Sequence, residues 1–409
     1  MMELKAGYKQ TEVGVIPSDW FAKKISSFAE ICTGNTPPTN DLNNYGHDYL
    51  FVTPADLGTE KTIRNTQKKL SSKGFNISRK YPKNTILFTC IGSTIGKCGI
   101  SDKELTSNQQ INAIFPNDFF DSDYLYYFLN LFSDRIKKMA GETAVPIINK
   151  TDFGEISITF PPTKTEQTAI ATALNDADQL ITQLEQLIAK KRNIKQGVMQ
   201  ALLKPKADWD TKKLGWIGSF KGGNGFPTKA QGEKNQQVPF YKVSDMNLLG
   251  NEIFMTNSNN WISEKIVNDI GAHCFPSNTI VFAKIGAAIF LERKKILSMV
   301  SCIDNNMMGF VVDIHTNDLR FIYFLFHSMK ISLYANTTAL PSINGKDLSD
   351  IDVKVPKKPE QTQIAQILTN MDTELQALEQ KLAKYRMLKQ GMMQTLLTGK
   401  TRLVKPNSN

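Results

Sequence analysis

The chain has 409 residues, of which 41% are hydrophobic and 22% are charged, a composition that suits a globular protein with two or more domains. The formal net charge of +10 favours an anionic partner, with nucleic acid the first candidate. No apolar run approaches the roughly 20 residues that span a bilayer, no secretory signal is evident, and the five scattered cysteines argue against a disulfide framework or a zinc site, so the sequence predicts a cytoplasmic protein.

The first 161 residues predict a mixed α/β domain with short strands and many turn residues. A buried strand that ends at a glycine turn is predicted at 85–92 (TILFTCIG), and an alternating, half-buried strand at 156–160 (ISITF). Between them, YLYYFLNLF at 124–132 predicts a short helix whose aromatic side chains belong to the core and do not form a base-stacking platform. Polar loops rich in Asn, Gln and Lys lie at 33–49, 68–80 and 106–113.

A long helix is predicted next, over residues 162–205. Prolines lie at its start, at 161–162, and at its end, at 205, and none lies between them. A helix of about 38 residues within these bounds would be about 57 Å long. Its apolar residues alternate in steps of four and three, the period of a coiled-coil seam. The predicted seam residues are Ile170, Leu174, Ala177, Ile181, Leu184 and Ile188.

The second half of the chain repeats this order of elements. The predicted strand, aromatic helix and pre-helix strand recur as TIVFAKIG at 279–286, LRFIYFLFHS at 319–328 and IDVKV at 351–355. Further polar loops lie at 221–237 and 291–296. A second long helix is predicted over residues 356–400. Its predicted seam residues are Ile364, Leu368, Met371, Leu375, Leu378 and Leu382.

The two halves are an internal repeat at an offset of 194 residues. KQGVMQALL at 195–203 and KQGMMQTLL at 389–397 agree at seven of nine positions. NTILFTCIG at 84–92 lies over NTIVFAKIG at 278–286 at the same offset. The sequence therefore predicts two tandem units, each a globular part followed by a helix. The predicted boundaries are 1–161, 162–205, 206–355, 356–400 and a tail at 401–409.

The charges predict how the two helices pair. In each helix the acidic residues come first and the later part is basic, so an antiparallel pair sets each acidic half against a basic half. We therefore predict an intramolecular antiparallel pair. The alternatives are two helices that each pack on their own globular part, or a pairing between two chains. The predicted fold class is mixed α/β, with two globular domains separated by a pair of long antiparallel coiled-coil helices and related by a pseudo-twofold repeat.

The sequence carries no convincing catalytic motif. GSTIGKC at 92–98 has three residues between its glycines where a P-loop has four, and it ends in Cys98 where a P-loop has Ser or Thr. The four histidines show neither a metal-ligand nor a triad pattern. We therefore predict no catalytic residue, no metal site and no cofactor in this chain.

The chain resembles the specificity subunits of type I restriction-modification systems over essentially its whole length. The resemblance is carried by the duplicated helical stretches EQTAIATALNDADQLI and EQTQIAQILTNMDTEL, and by KKRNIKQGVMQALL and KYRMLKQGMMQTLLTGK. GYKQTEVGVIPSDW near the N-terminus, AVPIINKTDF and ALPSINGKDL are also similar to that family. The second unit departs from the pattern because it has no copy of GYKQTEVGVIP.

The resemblance implies a non-catalytic subunit in a larger enzyme. Each globular half would be a target recognition domain that reads one half of an asymmetric, bipartite sequence in double-stranded DNA. The helices would set the spacer between the half-sites and help to dock two modification (methyltransferase) subunits. S-adenosylmethionine for adenine-N6 methylation, and ATP with Mg, would belong to the modification and restriction subunits.

Residue chemistry and loop position suggest which side chains contact DNA. The phosphate candidates are Lys68, Lys69, Lys73, Arg79, Lys80, Lys97, Lys221, Lys229, Arg293 and Lys294. The candidates for base edges are Asn108, Gln109, Gln110, Asn224 and Asn235. The segment 108–110 could equally have a structural role.

Two other functions stay open on the sequence alone. A coiled-coil scaffold for proteins would bind no specific DNA sequence, whereas a recognition subunit would bind DNA with an affinity that falls steeply with salt. A self-sufficient methyltransferase or nuclease would need a cofactor or metal site that the sequence does not reveal.

Overall fold

A computed structural model describes residues 6–141, 145–336 and 340–404 of the chain. The chain divides into two compact units. Unit 1 comprises residues 1–185 and 380–409, and unit 2 comprises residues 186–379. The boundary falls inside both long helices, whereas the predicted domain boundaries follow secondary structure and remain predictions. Ala144 and Ala339 of the two repeated stretches, and the last five residues of the predicted tail, lie outside the described residues.

Unit 1 contains thirteen described strands and five described short helices. The strands are β1 (Tyr8–Thr11), β2 (Gly14–Pro17), β3 (Phe21–Lys24), β4 (Ile31–Thr33), β5 (Tyr45–Val52), β6 (Thr62–Ile63), β7 (Lys68–Leu70), β8 (Lys80–Tyr81), β9 (Ile86–Thr89), β10 (Cys98–Ser101), β11 (Leu105–Ser107), β12 (Ile111–Ile114) and β13 (Ser157–Phe160). The helices are α1 (Ile25–Phe28), α2 (Ser72–Asn76), α3 (Ser122–Leu131), α4 (Ser133–Lys138) and α5 (Lys150–Gly154).

Two sheets form the centre of unit 1. The larger has the strand order β4-β12-β9-β10-β6, and the smaller has the order β7-β5-β11-β8. Most neighbours are antiparallel, but β10 with β6 and β11 with β5 are parallel. One face of the larger sheet packs against α3 in a core around Phe88, Tyr124 and Phe128, and the other face forms a second core around Leu87 and Leu105.

Unit 2 repeats this topology with fewer strands in the smaller sheet. Its long helices aside, it contains β14 (Asp210–Lys213), α7 (Leu214–Ile217), β15 (Gly218–Gly222), β16 (Val238–Tyr241), β17 (Phe254–Met255), β18 (Trp261–Ile262), α8 (Glu264–Asp269), β19 (Ile280–Ala283), β20 (Lys294–Leu297), β21 (Cys302–Ile303), β22 (Met307–Val312), α9 (Leu319–Ser328), α10 (Gly345–Ser349) and β23 (Asp352–Val355). The strand orders are β15-β22-β19-β20-β17 and β18-β16-β21. The parallel pairs recur as β17 with β20 and β16 with β21.

The predicted short elements are present with shifted ends. The strand predicted at 85–92 ends at Thr89, and a 3-10 turn at Gly92–Thr94 follows it, because the glycines there adopt a local turn. The turn that enters each copy of this strand is also repeated. Asn84 and Asn278 both have positive φ, at 67° and 66°, a conformation that Asn tolerates better than most residues. The aromatic residues of α3 and α9 are largely buried, which confirms that they belong to the core.

The two predicted long helices are present as α6 (Lys164–Leu202) and α11 (Lys358–Leu396), each of 39 residues. At about 1.5 Å per residue each is about 58 Å long. Each contributes residues to both units. All twelve predicted seam residues are buried or half-buried, while intervening positions such as Glu185 and Gln186 are exposed. None of the described helices combines the length and the apolar character that crossing a membrane requires.

Within each unit the two helix segments are joined by ion pairs. In unit 1, Lys389 lies 2.5 Å from Asp178 and Arg386 lies 2.6 Å from Glu185. Glu185 lies later in α6 than Asp178, but its partner Arg386 lies earlier in α11 than Lys389. The two helix segments in unit 1 therefore run antiparallel.

In unit 2 the same relation holds at the repeated positions. Lys195 pairs with Asp372, and Arg192 lies 2.5 Å from Glu379. Each of these residues lies 194 positions from its counterpart in unit 1. Inside each unit, basic residues of one helix segment therefore pair with acidic residues of the other, as the charge pattern of the sequence predicts.

The repeated EQT stretch fastens the start of each long helix to its globular part. In unit 1 the side-chain oxygen of Gln167 accepts the backbone N–H of Asp121, the N-cap of α3, at 2.9 Å. In unit 2 Gln361 accepts the backbone N–H of Asp318, the N-cap of α9, at 2.8 Å. Gln167 and Gln361 are 2% and 1% exposed. This buried bond explains why both copies have glutamine here.

Candidate nucleic-acid interface

A wide cleft in unit 1 brings together part of the predicted DNA-binding set. It has a volume of about 580 Å³. Lys68 and Lys69, at the start of β7, line it on one side. The other lining residues are Thr39, Leu42, Tyr45, Gly46, His47, Asn65, Thr66 and Gln67. The cleft therefore combines cations with hydrogen-bonding side chains, the two classes of group that contact phosphates and base edges.

Three further cations of unit 1 lie on the surface but are held by neighbours. Lys73 forms an ion pair of 2.7 Å with Asp41, which lowers the pKa of that carboxyl. Arg79 donates to the carbonyl of Thr33 at 2.5 Å. The ammonium of Lys80 lies 4.7 Å from the centre of the Phe75 ring. All three cations are exposed, so they remain accessible to a phosphate.

Lys97 also lies on the surface of unit 1. It is exposed, and its aliphatic chain runs past Gly58, where a Cβ would come within 3.0 Å of it. Lys97 does not line the cleft formed around Lys68 and Lys69.

The segment 108–110 forms a turn. The side-chain oxygen of Asn108 accepts the backbone N–H of Gln110 at 3.1 Å, and its amide nitrogen donates to the Gln110 side chain at 3.0 Å. Gln109 accepts the hydroxyl of Thr36 at 2.6 Å. These bonds favour the structural role that the sequence left open, since they occupy much of the hydrogen-bonding capacity that reading a base would require.

In unit 2, Lys221, Asn224 and His273 form one cluster. The ammonium of Lys221 lies 3.0 Å from Nδ1 of His273, and burial together with this charge lowers the pKa of His273. Asn224 accepts the backbone N–H of His273 at 2.8 Å and donates to the carbonyl of Gly271 at 3.3 Å. Asn224 therefore holds two loops together, while the cation of Lys221 is exposed.

The other unit 2 candidates lie in different environments. Lys229 and Asn235 are exposed and Arg293 is half-buried. Lys294 is only 1% exposed; its ammonium donates to Glu292 at 2.6 Å and to the carbonyl of Met329 at 2.9 Å. Burial lowers the pKa of Lys294. Its charge is neutralised inside the unit, so we remove Lys294 from the phosphate candidates.

Sequence reasoning missed four polar residues at these surfaces. His47, Asn65 and Gln67 line the unit 1 cleft, and His273 contacts Lys221 in unit 2. The sequence does contain a signal for Asn65 and Gln67, because RNTQKK at 64–69 places their amides directly before the predicted phosphate-binding residues Lys68 and Lys69. Within the described part of the chain, no cluster of three or more His, Cys, Asp or Glu residues could hold a metal ion.

Comparison with known proteins identifies the family. The family described as type I restriction modification DNA specificity domain matches residues 17–196 and again residues 206–384. The MjaIX specificity subunit of a type I restriction enzyme from Methanocaldococcus jannaschii is 27% identical over 387 residues, which cover 86% of each chain. The HindI specificity subunit from Haemophilus influenzae is 33% identical over 151 residues, 36% of this chain and 33% of that protein.

Solved structures share the fold. The crystal structure of a type I restriction-modification S subunit from M. genitalium has a TM-score of 0.60 at 18% identity, covering 97% of this chain and 98% of that one. A second chain, from work on complex assembly and conformational transition of the type I R-M system, has a TM-score of 0.62 at 14% identity, covering 94% and 99%. The sequence-based prediction of the family is thus confirmed, and the chain belongs to the DNA specificity subunits of type I restriction-modification systems.

Proposed function

We propose that this chain is the subunit that reads a bipartite target in double-stranded DNA, with one half-site for each unit. The observation that carries the proposal is the repetition of one topology with different polar surfaces: a cleft with lysines and free amides in unit 1, and a Lys221–His273 cluster in unit 2. A shared skeleton suits one task, and different surface side chains suit two different sequences. The chain itself performs no chemistry in this proposal.

The long helices would form one antiparallel coiled coil that sets the spacing of the two half-sites. The ion pairs inside each unit and the buried seam positions support this arrangement. Half-sites read from one face of a duplex lie about 34–36 Å apart, one helical turn. A helix pair of about 58 Å is long enough to hold two domains at that separation.

The partners would be two modification subunits and, through them, restriction subunits. Two nearly identical helical stretches, KQGVMQALL and KQGMMQTLL, suit two identical partners. S-adenosylmethionine and ATP with Mg would be bound by those subunits, and the assembly would act on DNA in the cytoplasm.

The test is methylome sequencing of a host that expresses this chain with the modification subunit from its own system. We expect adenine methylation at one asymmetric motif made of two half-sites and a fixed spacer. Methylation without such a motif would contradict the proposal.

Salt dependence separates this function from that of a protein scaffold. The affinity of the full chain for duplex DNA should fall as the salt concentration rises. A plot of the logarithm of the association constant against the logarithm of the salt concentration should be linear, with a slope of about −0.9 for each phosphate contacted. A scaffold for proteins alone would bind DNA weakly at every salt concentration and would show no preference for the methylated motif.

A further inference from the structure

Three polar side chains from two parts of the chain line the unit 1 cleft and have no hydrogen-bond partner among the described residues. His47, Asn65 and Gln67 are exposed. Among the hydrogen bonds of the described residues, none involves the side chain of any of the three. The amides of Asn35 and Asn44 in the same unit, by contrast, donate to backbone carbonyls. An amide without an internal partner keeps both its donor and its acceptor for another molecule.

Hydrogen bonds hold the backbone of residues 65–67 in place. Thr66 is 6% exposed; its hydroxyl accepts the backbone N–H of Phe51 at 3.3 Å and donates to the carbonyl of Lys68 at 2.6 Å. The next residue, Gln67, donates its backbone N–H to the carboxylate of Asp56 at 2.7 Å. Two anchors therefore fix the segment from below, while the side chains of Asn65 and Gln67 stay free. Groups held in place before binding lose less entropy when they bind.

The corresponding stretch of unit 2 is different. Asn257 donates its amide to the carbonyl of Leu249 at 2.8 Å, and Asn259 donates to the carboxylate of Asp245 at 3.0 Å. These two amide donors are used inside the loop, so they are not free to donate to a ligand as those of Asn65 and Gln67 are. At this place in the fold, unit 1 therefore has free amides where the corresponding stretch of unit 2 has bonded ones.

We infer that Asn65 and Gln67, together with His47, read base edges in the half-site of unit 1, and that Lys68 and Lys69 hold the adjacent phosphates. The inference rests on the proposed function and names the residues that give it specificity. A side-chain amide offers a donor beside an acceptor, which matches the N6 and N7 edge of adenine in the major groove. Lysines directly after the amides place positive charge where the DNA backbone passes.

The test replaces both amides in the full chain and measures the methylated motif. With the modification subunit present, the double variant Asn65→Ala/Gln67→Ala should relax at least one position of one half-site. Loss of a good amide contact should cost roughly 5- to 150-fold in discrimination at that position. The spacer and the other half-site should stay as they are in the wild-type protein.

A second variant covers the case in which the alanines impair folding. Asn65→Asp/Gln67→Glu keeps the shape of both side chains and removes their donors, so it should change preference at the same positions. Gln10→Ala is the matched control, since it removes an exposed amide of unit 1 that lies outside both the cleft and the long helices. It should leave the motif unchanged.

The outcomes separate the inference from the function it rests on. A bipartite motif that is identical in the wild-type protein and in both cleft variants overturns the assignment of these residues and leaves the proposed function standing. A change confined to the spacer, or to both half-sites equally, also overturns it. If the wild-type protein yields no bipartite motif, the proposed function fails, and the assignment fails with it.

Discussion

Lys195 and Lys389 interrupt the apolar seam of the two long helices, and each has a carboxylate partner inside its own unit. Lys195 pairs with Asp372, and Lys389 pairs with Asp178. Neither lysine is fully exposed, and the side chain of Asp372 is only 10% exposed. A half-buried cation without a partner is costly. The two ion pairs therefore favour the same alignment of the helix segments that brings their apolar residues into contact.

Removing one partner should destabilise unit 2 measurably. Asp372→Ala leaves Lys195 and the neighbouring Arg320, 3.4 Å away, without their carboxylate, and should lower the free energy of unfolding by about 1–3 kcal/mol. The measurement is urea unfolding followed by circular dichroism. The matched control is Glu374→Ala, which removes a more exposed partner, that of Lys191, and should cost about 1 kcal/mol or less. Equal losses in the two variants would contradict this account.

His327 should make stability depend on pH. Burial, with the nearby cations Lys294, Lys195 and Lys295, lowers the pKa of His327 from 6.5 to about 4. The unfolded chain then binds a proton that the folded chain does not, so this contribution is present above pH 6.5 and is lost as the pH falls towards 4. It amounts to at most about 3 kcal/mol.

The variant His327→Phe removes the titrating group. Its melting temperature should fall less than that of the wild-type protein between pH 7 and pH 5. His315→Gln, a change at an exposed histidine, should behave like the wild-type protein. An identical pH dependence in all three proteins would rule out His327 as the source.

The long helices were predictable because each carries its signal many times over. The alternation of four and three residues recurs along the segment, and prolines mark the ends. The strands are two to eight residues long, so a pattern of period two has little length in which to appear. Their order in the sheets was not predicted, since pairing β4 with β12 joins residues about 80 positions apart.

The candidate site was less predictable for a specific reason. Its residue types follow from the sequence, but whether a polar group is free depends on contacts that the sequence does not reveal. Asn108 is occupied by Gln110, and Lys294 by Glu292, whereas Asn65 is free. Nothing in the local sequence distinguishes these three outcomes.

Shortening both helices together should change the spacer and leave the half-sites intact. The segments 181–187 and 382–388 should face each other if the ion pairs Glu185–Arg386 and Asp178–Lys389 report the register. Deleting both removes seven residues from each helix, about 10 Å or roughly three base pairs of DNA. Methylome sequencing of cells carrying the variant measures the spacer. Altered half-sites with an unaltered spacer would refute the coiled coil as the spacing element.

The whole molecule contains two copies of one arrangement of elements, and each long helix contributes residues to both units. The core of unit 1 includes Met393 of α11 and Leu397, the residue directly after that helix, and the core of unit 2 includes Met199 of α6 and Leu203, the residue directly after it. Position by position, these are the same residues of the repeat. The end of α11, which follows the second globular part in the chain, therefore completes the core of unit 1. The end of α6, which follows the first globular part, completes the core of unit 2.

A fragment that ends at residue 205 should consequently not remain alone. Its own Met199 and Leu203 match the residues that complete unit 1, and its Lys195 matches the partner of Asp178. We expect residues 1–205 to form a dimer, with twice the fragment mass in light scattering. Asp178→Lys within the fragment places like charges at both pairing points and should shift it towards monomer.

Because of this exchange of helix ends, one half of the sequence alone should specify a closed, symmetric dimer. Two identical domains would then suit a palindromic duplex, whereas the proposed function gives the intact chain an asymmetric target. In one polypeptide the exposed surfaces of the two copies can differ, whereas the buried residues that complete each unit are identical in both copies.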